Sequence, residues 1–284
     1  MLEYYNYLTT PSGNNFTLKE ISNKDFLVLL KFLNGDNYKG FYKALDILIS
    51  QSIPEFNELD ICDKAYIYIA YYYYSIRSCI AIKSEKFDSI EVPLTMMLDS
   101  IEEKYNKECI SFEIDNRIIN IHYPRILLFD DNNQILVDLL SSIKSINTLD
   151  ISIQNIEDLR KAMPIKMINE IEYNVQKNFS LIVDIVKNVS GAENIKEDIL
   201  NGSLFYSIAF IYKDSLENFY NMLYLLCHYV RVDWQSLLLM TPVETTILYK
   251  NFIEDKEKQN EKSKNKNGYL NSHDPNINDA LLTI

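Results

Sequence analysis

The sequence predicts an α+β protein that is mainly α, with an N-terminal β-hairpin and helices, a small antiparallel β section and a helical C-terminal half. Three observations support this class. Apolar and polar residues alternate in short runs near residues 2–21 and 90–123, as in strands with one buried face. Elsewhere apolar residues recur every three or four positions, as on one face of a helix. Residues that favour turns separate these runs.

The hairpin is predicted over residues 2–21, because Pro11-Ser12-Gly13-Asn14 suits a tight turn between two short strands. Helices are expected next, over about residues 22–33 and 38–52 and from about residue 60. Asn34-Gly35 should end the first of them, and Ile53-Pro54 should interrupt the chain after the second.

The segment Ala65–Ile82 is nearly long and apolar enough to resemble a membrane span. It contains six tyrosines, whose hydroxyls each need a partner, and the charged Arg77. We therefore expect a central helix that the rest of the fold covers on all sides.

The β section is predicted from alternating apolar residues at 90–94, 110–115 and 119–123, with a turn at Asp115-Asn116. The chain beyond residue 132 is expected to be almost entirely helical, near 133–145, 156–162, 164–189 and 203–212. We divide it into an N-terminal α+β domain (1–130), a helical domain (131–258) and a disordered polar tail (259–284).

Residues 213–257 are predicted to form two capped amphipathic helices joined by a short apolar elbow. The first cap is assigned to Asp214 with Glu217, and the second to Thr241, followed by Pro242 and by Glu244 reaching back. Such a unit packs against its own core or against a partner.

An apolar face on these helices is the predicted partner-binding site, where an amphipathic client helix would lie in a groove. Its candidate residues are Phe219, Leu223, Leu226, Trp234, Leu237 and Leu238. Trp234, the only tryptophan, is either a binding anchor or a buried residue of the elbow.

Composition excludes several functional classes. The chain has 28 basic and 40 acidic residues, a net charge of −12, which disfavours binding to nucleic acid. Its six glycines are too dispersed to form a phosphate-binding loop. The four cysteines form no CxxC pair, and reduced thiols are expected.

No catalytic, metal or cofactor site is predicted. His122 is expected to face solvent on a strand, and neither His228 nor His273 belongs to a pattern typical of a zinc site. Asp130-Asp131 is interpreted as a helix cap and Glu102-Glu103 as part of a polar loop.

A succession of short motifs covers about residues 18–258. The aromatic helix carries Arg77 near its end, and a Leu98-Asp99 pair lies in the β section. Tyr123-Pro124 closes the last strand, and Met163-Pro164 follows. In this order the chain resembles the T4-type bacteriophage baseplate-hub assembly proteins, whose last helix begins with proline, tryptophan and glutamate.

Two departures limit what the resemblance transfers. Val243 replaces the tryptophan between Pro242 and Glu244, and the β section holds Cys109 alone where members often have a cysteine pair. No metal is therefore carried over.

The resemblance implies a non-enzymatic, chaperone-like factor that binds hub or tape-measure proteins in the host cytoplasm during tail assembly. From the residues themselves we expect no cofactor and neither a nucleic acid nor a membrane as partner. An alternative is a structural subunit retained in the baseplate hub of the virion. A hub-associated hydrolase is a third reading, and it has no candidate residues.

Overall fold

A computed structural model describes residues 5–82, 90–105, 109–123, 140, 142–147, 149–150, 163–177 and 204–266. Its strands are β1 (Tyr5–Thr9), β2 (Asn15–Lys19), β3 (Cys79–Ile82), β4 (Ile90–Pro93), β5 (Ile110–Ile114), β6 (Arg117–Ile121), β7 (Ile143–Ile146) and β8 (Leu149–Asp150). Its α-helices are α1 (Asn23–Asn34), α2 (Tyr38–Ser50), α3 (Ile61–Ser75), α4 (Leu94–Tyr105), α5 (Ile165–Lys177), α6 (Leu204–Tyr212), α7 (Leu216–Leu225), α8 (Trp234–Leu239) and α9 (Pro242–Lys266). The predicted fold class is confirmed.

The N-terminal hairpin forms as predicted. Strands β1 and β2 pair antiparallel, with Tyr5 opposite Lys19 and Thr9 opposite Asn15. Gly13 has a φ of +87° in the turn, a conformation that glycine adopts without steric cost. The Asp63 carboxylate of α3 accepts a hydrogen bond from the Ser12 backbone N–H at 3.2 Å and another from its hydroxyl, which attaches the turn to the core.

Helix α1 lies at the centre of the helical packing. The Ser22 side chain caps its start by accepting from the Asp25 backbone N–H at 3.2 Å, and Gly35 follows its last turn as predicted. One side of α1 is fully buried and includes Phe26, Leu29 and Leu30. This helix packs against α2, α6, α7 and α8, so its contacts cross the predicted domain boundary at residue 130.

The tyrosine-rich helix α3 is covered on nearly all sides, as expected. Asp60 caps it by accepting from the backbone N–H groups of Cys62 and Asp63 at 2.9 and 3.0 Å. The prediction that this helix continues to residue 82 is wrong, since it ends at Ser75 and residues 79–82 form β3. The Arg77 side chain, 51% exposed, needs solvent at this point, which a fully covered helix does not provide.

The β section contains the predicted hairpin and two elements that the sequence reading missed. Strands β5 and β6 pair from Ile110–Ile121 to Ile114–Arg117, and Asp115 and Asn116 adopt left-handed φ values of 48° and 61° in the turn. Helix α4 occupies residues 94–105, where a strand end and a polar loop containing Glu102-Glu103 were predicted. Buried Met97 and Ile101, four residues apart, face the core and explain the helix.

The predicted helix over 133–145 is wrong at its end, because residues 143–146 form β7, which pairs with β6. Strand β8 then completes a four-stranded sheet in the order β5-β6-β7-β8. Helix α6 is confirmed, and α5 confirms residues 165–177 of the helix predicted over 164–189. The helix predicted at 156–162, the rest of 164–189 and Asp130-Asp131 lie outside the described residues.

Helix α9 runs further than predicted. The polar composition after residue 255 favoured an unfolded tail from 259, whereas α9 continues to Lys266. An ion pair between Glu254 and Lys258, 3.7 Å apart and four residues apart in sequence, supports this exposed part of the helix. Residues 267–284, which contain His273, lie outside the described residues.

Candidate functional site

The predicted partner-binding face of α7 is packed against the protein's own core. Phe219, Leu223 and Leu226 are buried, and Leu223 has no exposed surface. The Phe219 ring meets Phe26 of α1 edge to face, with centroids 5.1 Å apart. A partner therefore has no access to these three residues on the folded surface. Of the two options expected for these helices, packing against the chain's own core or against a partner, these residues follow the first.

The remaining candidates lie in the elbow, which is itself the short helix α8. Asp233 caps α8 by accepting from the Ser236 backbone N–H at 3.0 Å. Leu237 is completely buried, whereas Trp234 and Leu238 are half-buried and pack against the core. Of the six predicted residues, only these two keep surface that a partner can contact.

The end of α7 changes which side chains reach the surface. Residues 226–230 form a π-helical turn that ends at Arg231, whose φ of 61° is left-handed. A π-turn bonds residues five apart, so its side chains leave the stripe set by α-helical spacing. Val230, which α-helical spacing places on the buried face, is exposed for this reason. Such turns occur frequently at functional sites.

Four rings around this π-turn form a continuous surface that we call the aromatic patch: Tyr224, His228, Tyr229 and Phe252. Tyr224 stacks on His228 at 5.6 Å, with an angle of 6° between the ring planes. His228 meets Tyr229 edge to face at 4.9 Å, and Tyr229 stacks on Phe252 of α9 at 6.0 Å. Tyr224 is 59% exposed and Tyr229 is 54% exposed.

The patch has the properties of a contact surface. Each aromatic pair contributes about 0.5–1.5 kcal/mol, so the rings hold one another in place although they face solvent. Rings that are already ordered lose little entropy when a partner covers them. The Lys256 Nζ lies 5.8 Å from the Phe252 centroid, which shows that a ring of the patch accommodates a cation over its face.

The sequence contained a signal for this surface that our prediction missed. Tyr224 and His228 are four residues apart and lie opposite the apolar stripe of α7, where a solvent-facing helix usually carries polar residues. Tyr229 and Phe252 come together only through the π-turn and the packing of α9 beside it.

Of the two helix caps predicted for α7 and α9, the first is wrong and the second is confirmed. The predicted cap at Asp214 is wrong, because the Ser215 side chain accepts from the Asn218 backbone N–H at 3.2 Å. Asp214 instead pairs with Arg77 at 3.2 Å and fixes the α6–α7 connection beside the end of α3. The Thr241 cap is confirmed.

At the α9 cap, the Thr241 backbone N–H donates to the Glu244 carboxylate at 2.9 Å. The Glu244 backbone N–H donates to the Thr241 hydroxyl at 3.2 Å, which completes the reciprocal arrangement expected for a capping box.

Three titratable groups with raised pKa values, Asp60, Tyr68 and Tyr212, make hydrogen bonds within the fold. Burial raises the pKa of Asp60, whose carboxylate caps α3. Burial also raises the pKa values of Tyr68 and Tyr212 well above the usual range. The Tyr68 hydroxyl donates to Asp46, and the Tyr212 hydroxyl donates to the Tyr68 carbonyl oxygen at 2.7 Å.

The described histidines and the four cysteines lie at exposed, half-buried or buried positions. His122 is exposed, as predicted, and His228 belongs to the aromatic patch. All four cysteines are free, and Cys62 is buried. Within the described ranges, no three His, Cys, Asp or Glu side chains are grouped so as to hold a metal ion.

No helix in the described part of the chain combines the length and apolar character required to span a bilayer. Comparison of the chain with protein families, curated proteins and solved structures found no match.

Proposed function

We propose that this protein is an assembly factor for the baseplate hub of a contractile bacteriophage tail. In this role it binds a hub or tape-measure protein in the host cytoplasm, without enzymatic activity and without a nucleic acid or membrane partner. The order of the motifs from Arg77 to Glu244 supports the family assignment. The exposed aromatic patch supports a function in protein binding.

The aromatic patch carries the proposal, and it replaces the buried groove predicted from the sequence. Tyrosine and its aromatic neighbours dominate the binding energy of many interfaces, where truncation of one anchor costs about 2 kcal/mol or more. Tyr229 contacts rings on both sides and bridges the π-turn to α9, so it is the expected anchor.

Co-expression with each hub and tape-measure protein, followed by pull-down, tests this function. Tyr229→Ala should weaken capture of the client about 30-fold, because about 2 kcal/mol of contact is lost. Tyr173→Ala is the matched control, since Tyr173 on α5 is also a solvent-facing tyrosine, 63% exposed, and lies outside the patch. Equal capture by both variants, or capture of none of these proteins by the wild type, contradicts the proposal.

A structural subunit would use the same surface but would remain in the virion. Quantitative mass spectrometry of purified mature particles distinguishes the two roles. An assembly factor should be absent or far below the stoichiometry of the hub proteins, whereas an equimolar amount would assign this chain to the finished hub.

A further inference from the structure

A second feature is a cleft of about 630 Å³ between the N-terminal elements and the α8–α9 connection. Its described lining comes from residues 19–22, 24 and 25, from Leu48 of α2 and Gln51 just after it, from Tyr71 of α3, and from residues 239–241 and 244. None of these residues belongs to the aromatic patch. The volume lies in the range of sites that hold a small molecule or a single side chain with its neighbours.

Tyr71 provides the evidence that the cleft takes a ligand. This side chain is only 4% exposed, and it lines the cleft. The hydroxyls of Tyr68 and Tyr212 have partners in the fold, but the Tyr71 hydroxyl makes no hydrogen bond to a described residue. Because the side chain is held in place by the core while it lines the cleft, its hydroxyl oxygen is positioned to accept a hydrogen bond from a polar ligand atom that enters there. Burial, with a further contribution from Asp25, raises the pKa of Tyr71, so the hydroxyl remains protonated at neutral pH.

The charged groups of the cleft favour a cation. Three carboxylates line it, those of Glu20, Asp25 and Glu244, against the two lysines Lys19 and Lys24. Each of these half-buried carboxylates accepts from the fold through one oxygen, and its second oxygen makes no hydrogen bond to a described residue. The donors to the first oxygens are the Asn6 amide, the Ser22 hydroxyl and the Thr241 backbone N–H, at 2.9, 2.6 and 2.9 Å. The net charge of −12 also favours a basic partner over an acidic one.

The apolar part of the wall suits a long aliphatic stem. Leu48, Leu239 and Met240 line the cleft together with the carboxylates. Lysine and arginine combine a chain of methylene groups with a charged head, and they bury the chain on apolar surface when the head finds polar partners. Since the described acidic side chains are not grouped to hold a metal, an extended organic cation fits this lining better than a bare ion.

We propose that this cleft binds a lysine or arginine side chain of a partner protein, with the stem on Leu48 and Met240. The cationic head would donate to the Tyr71 hydroxyl oxygen and to the carboxylates of Asp25 and Glu244. The proposal rests on the proposed function only in assigning the side chain to a client protein. A free polyamine has the same chemistry, and the test separates these two sources.

The test is a titration of the full chain, followed by calorimetry, with four probes. Two are short peptides capped at both ends, with a central lysine or a central arginine. The third is the same peptide with norleucine, which keeps the stem and removes the charge. The fourth is spermidine. The lysine or arginine peptide should bind, and the norleucine peptide should not. Binding of the norleucine peptide as well, or of spermidine alone, overturns the assignment to a basic side chain.

Two variants test where the peptide binds and whether the site prefers a positive charge. Tyr71→Phe keeps the buried ring and should weaken binding about tenfold, the value of one hydrogen bond to a charged group. Lys24→Gln removes a solvent-exposed positive charge from the lining and should strengthen binding of the cationic peptide. Tyr73→Phe, on the same helix but outside the described lining of the cleft, is the control and should leave binding unchanged.

Unchanged binding by Tyr71→Phe, or weaker binding by Lys24→Gln, contradicts the proposal. Because the peptides are defined chemicals, a failure here is distinct from a failure to capture a hub protein in co-expression.

Discussion

Asn23 connects α1 to the C-terminal helices, and its removal should loosen the support of the aromatic patch. The side chain is completely buried, and its Nδ2 donates to the Leu237 carbonyl oxygen at 2.6 Å and to the Thr245 hydroxyl at 2.5 Å. The Asn23 backbone N–H donates to the Met240 carbonyl oxygen at 2.7 Å. A carbonyl can only accept, so the amide orientation is fixed and Oδ1 is left without a hydrogen-bond partner.

Asn23→Ala removes both side-chain hydrogen bonds, at a cost of about 0.5–1.5 kcal/mol each. Neither partner is left unsatisfied, because the Leu237 carbonyl oxygen still accepts from the Met240 N–H at 3.2 Å and the Thr245 hydroxyl still donates to the Thr241 carbonyl oxygen at 3.0 Å. The unpartnered Oδ1 also disappears, which offsets about 1 kcal/mol. We therefore expect the free energy of unfolding to fall by about 1 kcal/mol. At about 2–4 °C per kcal/mol, the Tm should fall by about 2–4 °C.

Urea and thermal unfolding of Asn23→Ala, Thr245→Val and the double variant measure this contribution. Asn23 and Thr245 should be coupled by about 0.5–3 kcal/mol, because they share a hydrogen bond. Asn221→Ala, at an exposed position on α7, is the control and should stay within about 0.5 kcal/mol of the wild type. If Asn23→Ala is as stable as this control, or the double variant is additive, the described connection does not hold α8 and α9 to α1.

Three further predictions concern caps, ion pairs and tyrosines. Thr241→Ala should lower the free energy of unfolding by about 1 kcal/mol in urea denaturation, while Thr241→Ser, which keeps the hydroxyl, should restore most of it. Arg77→Ala should cost less than about 1 kcal/mol, because its ion pair with Asp214 is largely exposed; a larger loss in the same assay would contradict this reading. Burial raises the pKa values of Tyr68 and Tyr212 above the unfolded value of about 10, so their contribution to stability is complete below that pH and is lost as the pH rises through the raised values. As the pH is raised above about 10, the urea concentration at the unfolding midpoint should therefore decrease. Tyrosinate absorbance should rise together with unfolding. Ionisation of these residues in the folded protein would refute the prediction.

Local sequence signals predicted the elements that depend on neighbouring residues. The hairpin turn follows from Gly13 and its neighbours, and the α9 start follows from Thr241, Pro242 and Glu244, because a cap is complete within four residues. The start of α1 at Ser22 is local in the same sense.

The errors arose where distant contacts decide the structure. Residues 79–82 become a strand because β4 pairs with them, and residues 143–146 become a strand because β6 does. Apolar side chains in these segments fit either a helix or a strand, and the periodicity alone does not distinguish the two. The cap of α7 lies at Ser215, while Asp214 pairs with Arg77, which is far away in sequence.

The partner-binding site could be predicted only in part. The apolar stripe of α7 was identified, but a stripe does not reveal whether it faces the chain's own core or another protein. Phe26 of α1 covers Phe219, so this part of the stripe packs against the chain's own core. The aromatic patch depends on the π-turn at residues 226–230. The α-helical spacing of apolar residues does not predict such a turn.

Hydrogen exchange of this chain, free and bound to the captured hub or tape-measure protein, tests most directly the claim that it works through the aromatic patch. Binding should slow amide exchange at residues 224–232 and near Phe252, with no comparable change in the β5–β8 sheet. Protection confined to that sheet, with exchange around the π-turn unchanged, would contradict the account.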